Sequence, residues 1–218
     1  MHTRFALFLL LAVDTTVIAI YLVLHAADQT GAITRVPDLF KINARGGLPS
    51  NLLFTKFFAM FAFLAWAGRR TGLGWVKGMA LVFLLLFLDD RAELHEMFGD
   101  QMVGLFGLTG AWGIDADDIG EVLYLSLFGV ICFGLLGRAY VAAPQPLRGD
   151  IVVLIGLVAV LAFFGVVVDL AAEAVRDSAS DAIFNTHFVF HTLEDAGELV
   201  VASFLLVQAA KTARDLIA

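Results

Sequence analysis

Long apolar runs separated by short polar stretches organise this chain. Phe5–Val13, Ala80–Leu88 and Ile151–Val168 have few polar interruptions. A helix that crosses a bilayer needs about 20 mostly apolar residues. Segments 4–25, 50–68, 74–98, 118–138, 150–174 and 183–211 meet that need. They are joined by connections 26–49, 69–73, 99–117, 139–149 and 175–182. In the longest connection, Gly46-Gly47-Leu48-Pro49-Ser50 reads as a turn into the second helix. Connection 99–117 has no charge between Asp100 and Asp115 and holds Met102, Leu105, Phe106, Leu108 and Trp112 among glycines. It is expected to lie along the membrane interface or to fold back over the bundle. No soluble domain, low-complexity tract or internal repeat interrupts the pattern. The expected fold is all-α: a polytopic membrane helical bundle of about six transmembrane helices, forming one integral membrane domain over 1–218.

The N-terminus has the outline of a signal peptide, with Arg4, an apolar run and then Ala26-Ala27. The run is longer than a usual signal core, so it reads as the first transmembrane helix.

Composition strengthens the membrane reading. Of 218 residues, 60% are hydrophobic and 16% charged, against about 45–50% and about 25% in a soluble domain. A net charge of −7 with no basic stripe excludes nucleic acid as a partner. Cys132 is the sole cysteine, so no intramolecular disulfide forms. Trp66, Trp75 and Trp112 read as interface anchors. There is no P-loop, GxSxG elbow or HExxH.

Basic residues set the orientation. With six spans, Arg4, Arg69, Arg70, Lys77, Arg138, Arg148, Lys211 and Arg214 share the side of the termini. Arg35, Lys41, Arg45, Arg91 and Arg176 lie opposite, joined by Lys56 if it snorkels outward from the second helix. This bias places both termini in the cytoplasm. Of 21 acidic residues, only Asp150 and Asp215 flank the cytoplasmic ends, so the outer half is strongly acidic.

That acidity is patterned. At about 1.5 Å per residue from the cytoplasmic ends, Glu93, Glu121, Asp169 and Glu194 fall in one layer at roughly 26–27 Å. Asp89 and Glu198 form a second layer at roughly 20 Å. Asp89/Glu93, Asp117/Glu121, Asp169/Glu173 and Glu194/Glu198 are each spaced i, i+4, which places both members on one helix face. His187, His191, Glu194 and Glu198 form one stripe. Charges at this depth turn inward and find partners. Like charges gathered there need shared protons or a bound cation.

Carboxylates with histidine suit iron, manganese or zinc; carboxylates alone suit calcium or magnesium. The candidate ligands are Asp89, Asp90, Glu93, His95, Glu96, Glu121, Asp169, His191, Glu194 and Glu198, and the expected cofactor is a divalent metal ion: iron, manganese, zinc or calcium. Four-helix di-metal proteins use inward Glu and Glu-x-x-His. Here His191-x-x-Glu194 has the reverse order, and Glu93 and His95, two apart on one continuous helix, face different ways. The blander reading is a solvated acidic rim, with Arg91 and Arg176 as ion-pair partners and the histidines interfacial. Asp14, amid the first helix beside Thr15 and Thr16, reads as a proton relay or as a carboxyl bonded to a neighbouring helix.

Phe40–Phe54 with its Gly-Gly-Leu-Pro-Ser, then Leu88-Asp89-Asp90…Leu94-His95-Glu96, then Leu193-Glu194-Asp195…Glu198-Leu199, resemble an uncharacterised family of bacterial multi-pass inner-membrane proteins. Its members carry LD(D/E)…LHE and LEE…E stretches; this chain has Asp195 where the second stretch has glutamate. The resemblance implies no activity, and marks Asp89, Asp90, His95, Glu96, Glu194 and Glu198. The His-x-x-x-His helix is also similar to that of membrane zinc hydrolases related to alkaline ceramidases. Those have seven spans and a serine near the metal, which this sequence does not match.

The leading functional expectation is therefore an outward-facing intramembrane metal site. Two alternatives stand beside it: a cation or proton transporter using the buried carboxylates and Asp14, or an accessory subunit of a larger membrane complex. Expected partners are the lipid bilayer, a homo-oligomer or larger membrane complex, and a lipid or small apolar ligand.

Overall fold

The computed structural model describes residues 2–42, 44, 46–111, 114–176 and 185–218. Arg45, counted above for orientation, and Trp112, read as an anchor, lie outside the described residues, as does most of the 175–182 connection. The chain is an all-α helical bundle. Its elements are α1 (His2–Gln29), a 3₁₀ turn (Asp38–Phe40), α2 (Leu48–Thr71), α3 (Gly74–Ala92), α4 (Leu94–Phe106), α5 (Ala116–Ala142) and α6 (Gln145–Ala162). A π-helical stretch (Phe163–Val168), α7 (Asp169–Ala174) and α8 (Thr186–Ile217) follow.

Among the described residues, five helical segments are long and apolar enough to cross a membrane: Thr3–Gln29, Leu48–Thr71, Ala116–Ala142, Gln145–Ala174 and Thr186–Ile217. The sixth expected span, 74–98, does not survive as one helix. α3 has 19 residues and carries Lys77 near one end and Asp89, Asp90 and Arg91 at the other. It ends where Glu93 adopts a left-handed conformation with φ 51°. The chain then restarts as α4, whose 13 residues extend only about 20 Å, too short to cross. Much of connection 99–117 is thus helical, and it packs back onto α5.

Fully buried Met60, Leu64, Met79, Phe83, Leu136, Leu154 and Leu205 place the core among α2, α3, α5, α6 and α8. The α2–α3 hairpin turns at Gly72, whose φ of 72° suits a residue without a Cβ. α1 stands at the edge, mainly against α8, and exposes Phe5, Phe8, Leu9, Val13 and Val23, a face suited to lipid.

α1 is tied to the bundle by polar bonds. Lys56 Nζ donates to Asp14 Oδ1 at 2.6 Å and to the Leu199 carbonyl at 2.8 Å, while Ser203 Oγ donates to Asp14 Oδ2 at 2.6 Å. Asp14, Lys56 and Ser203 are all buried. Lys56 therefore does not snorkel outward. An apolar interior favours an ion pair over a solvent-directed charge only when both partners are bonded, and Asp14 supplies that partner. Near the other end of α1, Tyr21, Val36 and Ile42 form a small core, and the His25 ring stacks on Phe188 of α8 at 3.8 Å.

α4 reaches α5 through two glycines. A Cβ on Gly120 would run into the Gly99 carbonyl, and one on Gly99 into the Glu121 side chain. Beside them Phe98 stacks on Tyr124 at 5.3 Å. Gly120→Val is therefore expected to lift α4 from α5 and cost about 1–3 kcal/mol, the usual range for overpacking. A thermal midpoint in mild detergent equal to that of the parent chain would contradict this close packing.

Candidate functional site

The acidic ends of α3, α5, α7 and α8 enclose a cavity of about 420 Å³ together with α2, α4 and the C-terminal end of α6. Its wall carries all ten residues singled out from the sequence: Asp89, Asp90, Glu93, His95, Glu96, Glu121, Asp169, His191, Glu194 and Glu198. Asp118, Glu173, Asp195 and Cys132 line it too. Apart from Ser50 the remaining wall is apolar, with Leu53, Phe54, Phe57, Phe128, Phe133 and Leu161 among its residues.

Two breaks in helical regularity assemble this wall. On an unbroken helix Glu93 and His95 would point apart. The left-handed turn at Glu93 redirects the chain so that Asp89 and Asp90 before it, and His95 and Glu96 after it, line the same space. A non-glycine residue held at positive φ is a local strain of the kind concentrated at functional sites. The second break is the π-helical stretch. Leu161, Gly165, Asp169 and Glu173 all line the cavity in steps of four. On a regular helix of 3.6 residues per turn three such steps would drift by about 120°. The wider i→i+5 turns keep them on one side.

The π stretch also interlocks with α8. Phe164 lies over Gly197, and the Glu198 carboxylate lies against Gly165, so a Cβ on either glycine would collide.

Both histidines are oriented by carboxylates. His95 Nδ1 meets Asp89 Oδ2 at 3.3 Å, and Tyr124 donates its hydroxyl to Asp89 Oδ1 at 2.9 Å. His191 Nδ1 meets Glu194 Oε2 at 3.1 Å. In each case the bond sets the ring so that Nε2 is the nitrogen placed for a ligand, the arrangement common behind metal-binding histidines. His95 belongs to α4, outside the spanning helices. Burial disfavours its charged form, but the hydrogen bond to Asp89 and the charges of Asp89, Glu121 and Glu96 outweigh that and raise it to about 9, so a metal ion at Nε2 must displace a proton.

Two carboxylate oxygens in the wall, Asp90 Oδ2 and Asp195 Oδ2, are buried with no hydrogen-bond partner. Asp195 Oδ2 lies 4.0 Å from His191 Nδ1, in range of its charge but beyond a hydrogen bond. At the rim, Arg176 donates to Glu173 Oε2 and to Asp115 Oδ2. The hydrogen bond to Asp115, with Glu173 adding to it, raises Arg176 above its usual value.

The ten residues share a cavity without forming a closed coordination shell. Among the described residues, the one group of three acidic, histidine or cysteine side chains with ligand atoms within 4.8 Å of one another is Asp115, Asp117 and Asp118, at the start of α5. That group is largely exposed; Asp115 caps the helix and pairs with Arg176. His187, the other histidine of the stripe, stacks beside His191 with ring centroids 6.0 Å apart. Asp14 is occupied by Lys56 and Ser203, the arrangement of a helix anchor.

Residues 5–212 match the family described as a domain of unknown function, DUF8692. The chain belongs to this family. The match spans both α3–α4 and α8, so the cavity falls within the DUF8692 region. No curated protein and no solved structure matches the chain.

Sequence reasoning missed Tyr124 as the second partner of Asp89; it follows Glu121 by three residues, on the same helix face. It also missed the pairing of Lys56 with Asp14, although these are lone opposite charges within two apolar runs.

Proposed function

We propose that this membrane protein binds a divalent metal ion in the acidic chamber, with His95 and His191 as nitrogen donors and Glu121, Asp169, Glu194 and Glu198 as oxygen donors. The observation that carries this is the pair of carboxylate-oriented histidines on the wall of one cavity shared with carboxylates from α3, α5, α7 and α8. Asp90 and Asp195 add negative charge, and their unpartnered oxygens call for a cation or a donor. Mixed nitrogen and oxygen donors favour zinc, manganese or iron over calcium. Ligand atoms that stand apart fit an ion that draws them inward or keeps part of its water shell. In this reading α3, packed between α2 and α5, crosses as a sixth and shorter span, so the chamber faces the periplasm and both termini the cytoplasm, as the distribution of lysine and arginine supports.

A bound ion stabilises the fold that binds it. At a hundredfold excess over Kd the gain is about 2.7 kcal/mol. At about 2–4 °C per kcal/mol that corresponds to a rise in thermal midpoint on the order of 5–10 °C. Manganese or zinc should produce this rise in the parent chain and not in a Glu121→Gln/Glu198→Gln variant. No rise with any divalent ion, or an equal rise in the variant, would count against the proposal.

A further inference from the structure

We infer that the chamber opens sideways into the hydrocarbon between α5 and the π-helical stretch, and that through this window it takes a hydrocarbon-tailed amphiphile with a primary ammonium head. This rests on reading the chamber as a cation site, and names a second cation for it.

The window follows from how α5 meets the next span. α5 and α6 are joined by the tight Ala143–Pro144 connection and pack together along their lower parts. Above that, α5 has at most marginal contact with the π stretch or α7, which pack on α8 instead. The two spans meet again at the rim, where Arg176, just past α7, bonds to Asp115 at the head of α5. The gap between these two closures is edged by Leu125 and Gly129 on α5 and by Ala162 and Val166 opposite, all at least partly exposed and all lining the cavity. A Cβ on Gly129 would meet nothing within 4 Å, as expected at an opening. The outer faces beside the gap carry Leu127, Val130, Phe163 and Val167 exposed, so the window gives onto lipid rather than water.

The occupant follows from the shape and chemistry of the chamber. A volume of about 420 Å³ is far more than one ion needs and falls in the range of small-ligand sites. The deep wall is apolar and takes a chain. The acidic end repels an anionic head and leaves Asp90 Oδ2 and Asp195 Oδ2 unpartnered. An ammonium head brings three N–H donors and a positive charge to those oxygens.

The test is native mass spectrometry of the protein released from phosphatidylcholine nanodiscs loaded with dodecylammonium, dodecanol or dodecyl sulfate. One dodecylammonium adduct is expected, at least tenfold above either other amphiphile. Gly129→Trp, which fills the window from a position with free space, should reduce it at least tenfold, and Asp90→Asn/Asp195→Asn should do the same. Equal retention of the three amphiphiles would overturn the inference, as would full dodecylammonium retention by Gly129→Trp. The same samples are run with manganese alone. Manganese bound without a dodecylammonium adduct overturns the amphiphile and leaves the cation site standing; neither bound overturns both.

Discussion

Replacing Lys56 with methionine is expected to destabilise the bundle by about 3–5 kcal/mol, the cost of removing one partner of a buried ion pair. Asp14 is left in the interior with only the Ser203 hydroxyl, and the Leu199 carbonyl, in the middle of α8, loses its side-chain donor. Asp14→Leu should cost a similar amount by stranding the ammonium. The double variant Asp14→Leu/Lys56→Met should recover most of the loss, because a well-packed apolar pair is about as stable as a buried ionic one. The measurement is a double-mutant cycle of unfolding midpoints in mixed micelles. Single variants within about 0.5 kcal/mol of the parent, the range of substitutions away from such features, would mean that α1 is held by apolar packing alone. Because α1 otherwise meets mainly α8, its detachment should also make α1 more accessible to proteolysis.

Asp89→Asn should weaken metal binding by about 10–100-fold while leaving the fold intact, the usual effect of altering a group that orients a metal-bound histidine. The amide still reaches His95 and Tyr124, so packing is preserved, but a neutral oxygen no longer supports the imidazole from behind. His95→Ala/His191→Ala removes both nitrogen donors and should lose the ion altogether. Tyr124→Phe removes one bond to Asp89 and should fall between the parent and Asp89→Asn. If Asp89→Asn binds metal as tightly as the parent, the Asp89–His95 pair is a structural ion pair of α3 with α4 and not a support for a ligand.

Much of this fold was legible because lipid as a solvent imposes a simple rule on length and polarity. Apolar runs marked the helices, and the pairs Asp89/Glu93, Asp169/Glu173 and Glu194/Glu198 marked faces that turn inward, whereas Asp117 of the fourth pair is exposed at the head of α5 and only Glu121 lines the cavity. What the pattern could not carry was local departure from a regular helix. On one continuous helix over 74–98, Glu93 and His95 diverge. The left-handed turn at Glu93 has no composition cue, since glutamate is not a residue that favours positive φ. The π-helical stretch likewise leaves no mark in an unbroken apolar run such as Phe163–Val168, yet it keeps Asp169 and Glu173 on the cavity side. Lys56 was misread for a different reason. Its destination depends on which helix lies opposite, and neighbour order is a property of the bundle rather than of α2. Gly99 and Gly120 read as ordinary loop and helix glycines until α4 is seen lying on α5.

The central claim is that the acidic chamber holds a divalent ion. It is tested most directly by elemental analysis of protein purified without chelator or immobilised nickel. The expected result is near-stoichiometric zinc, manganese or iron in the parent chain and loss of that metal in His95→Ala/His191→Ala. A parent chain that carries no divalent metal after growth in metal-replete medium, or a double variant that carries as much as the parent, would contradict it.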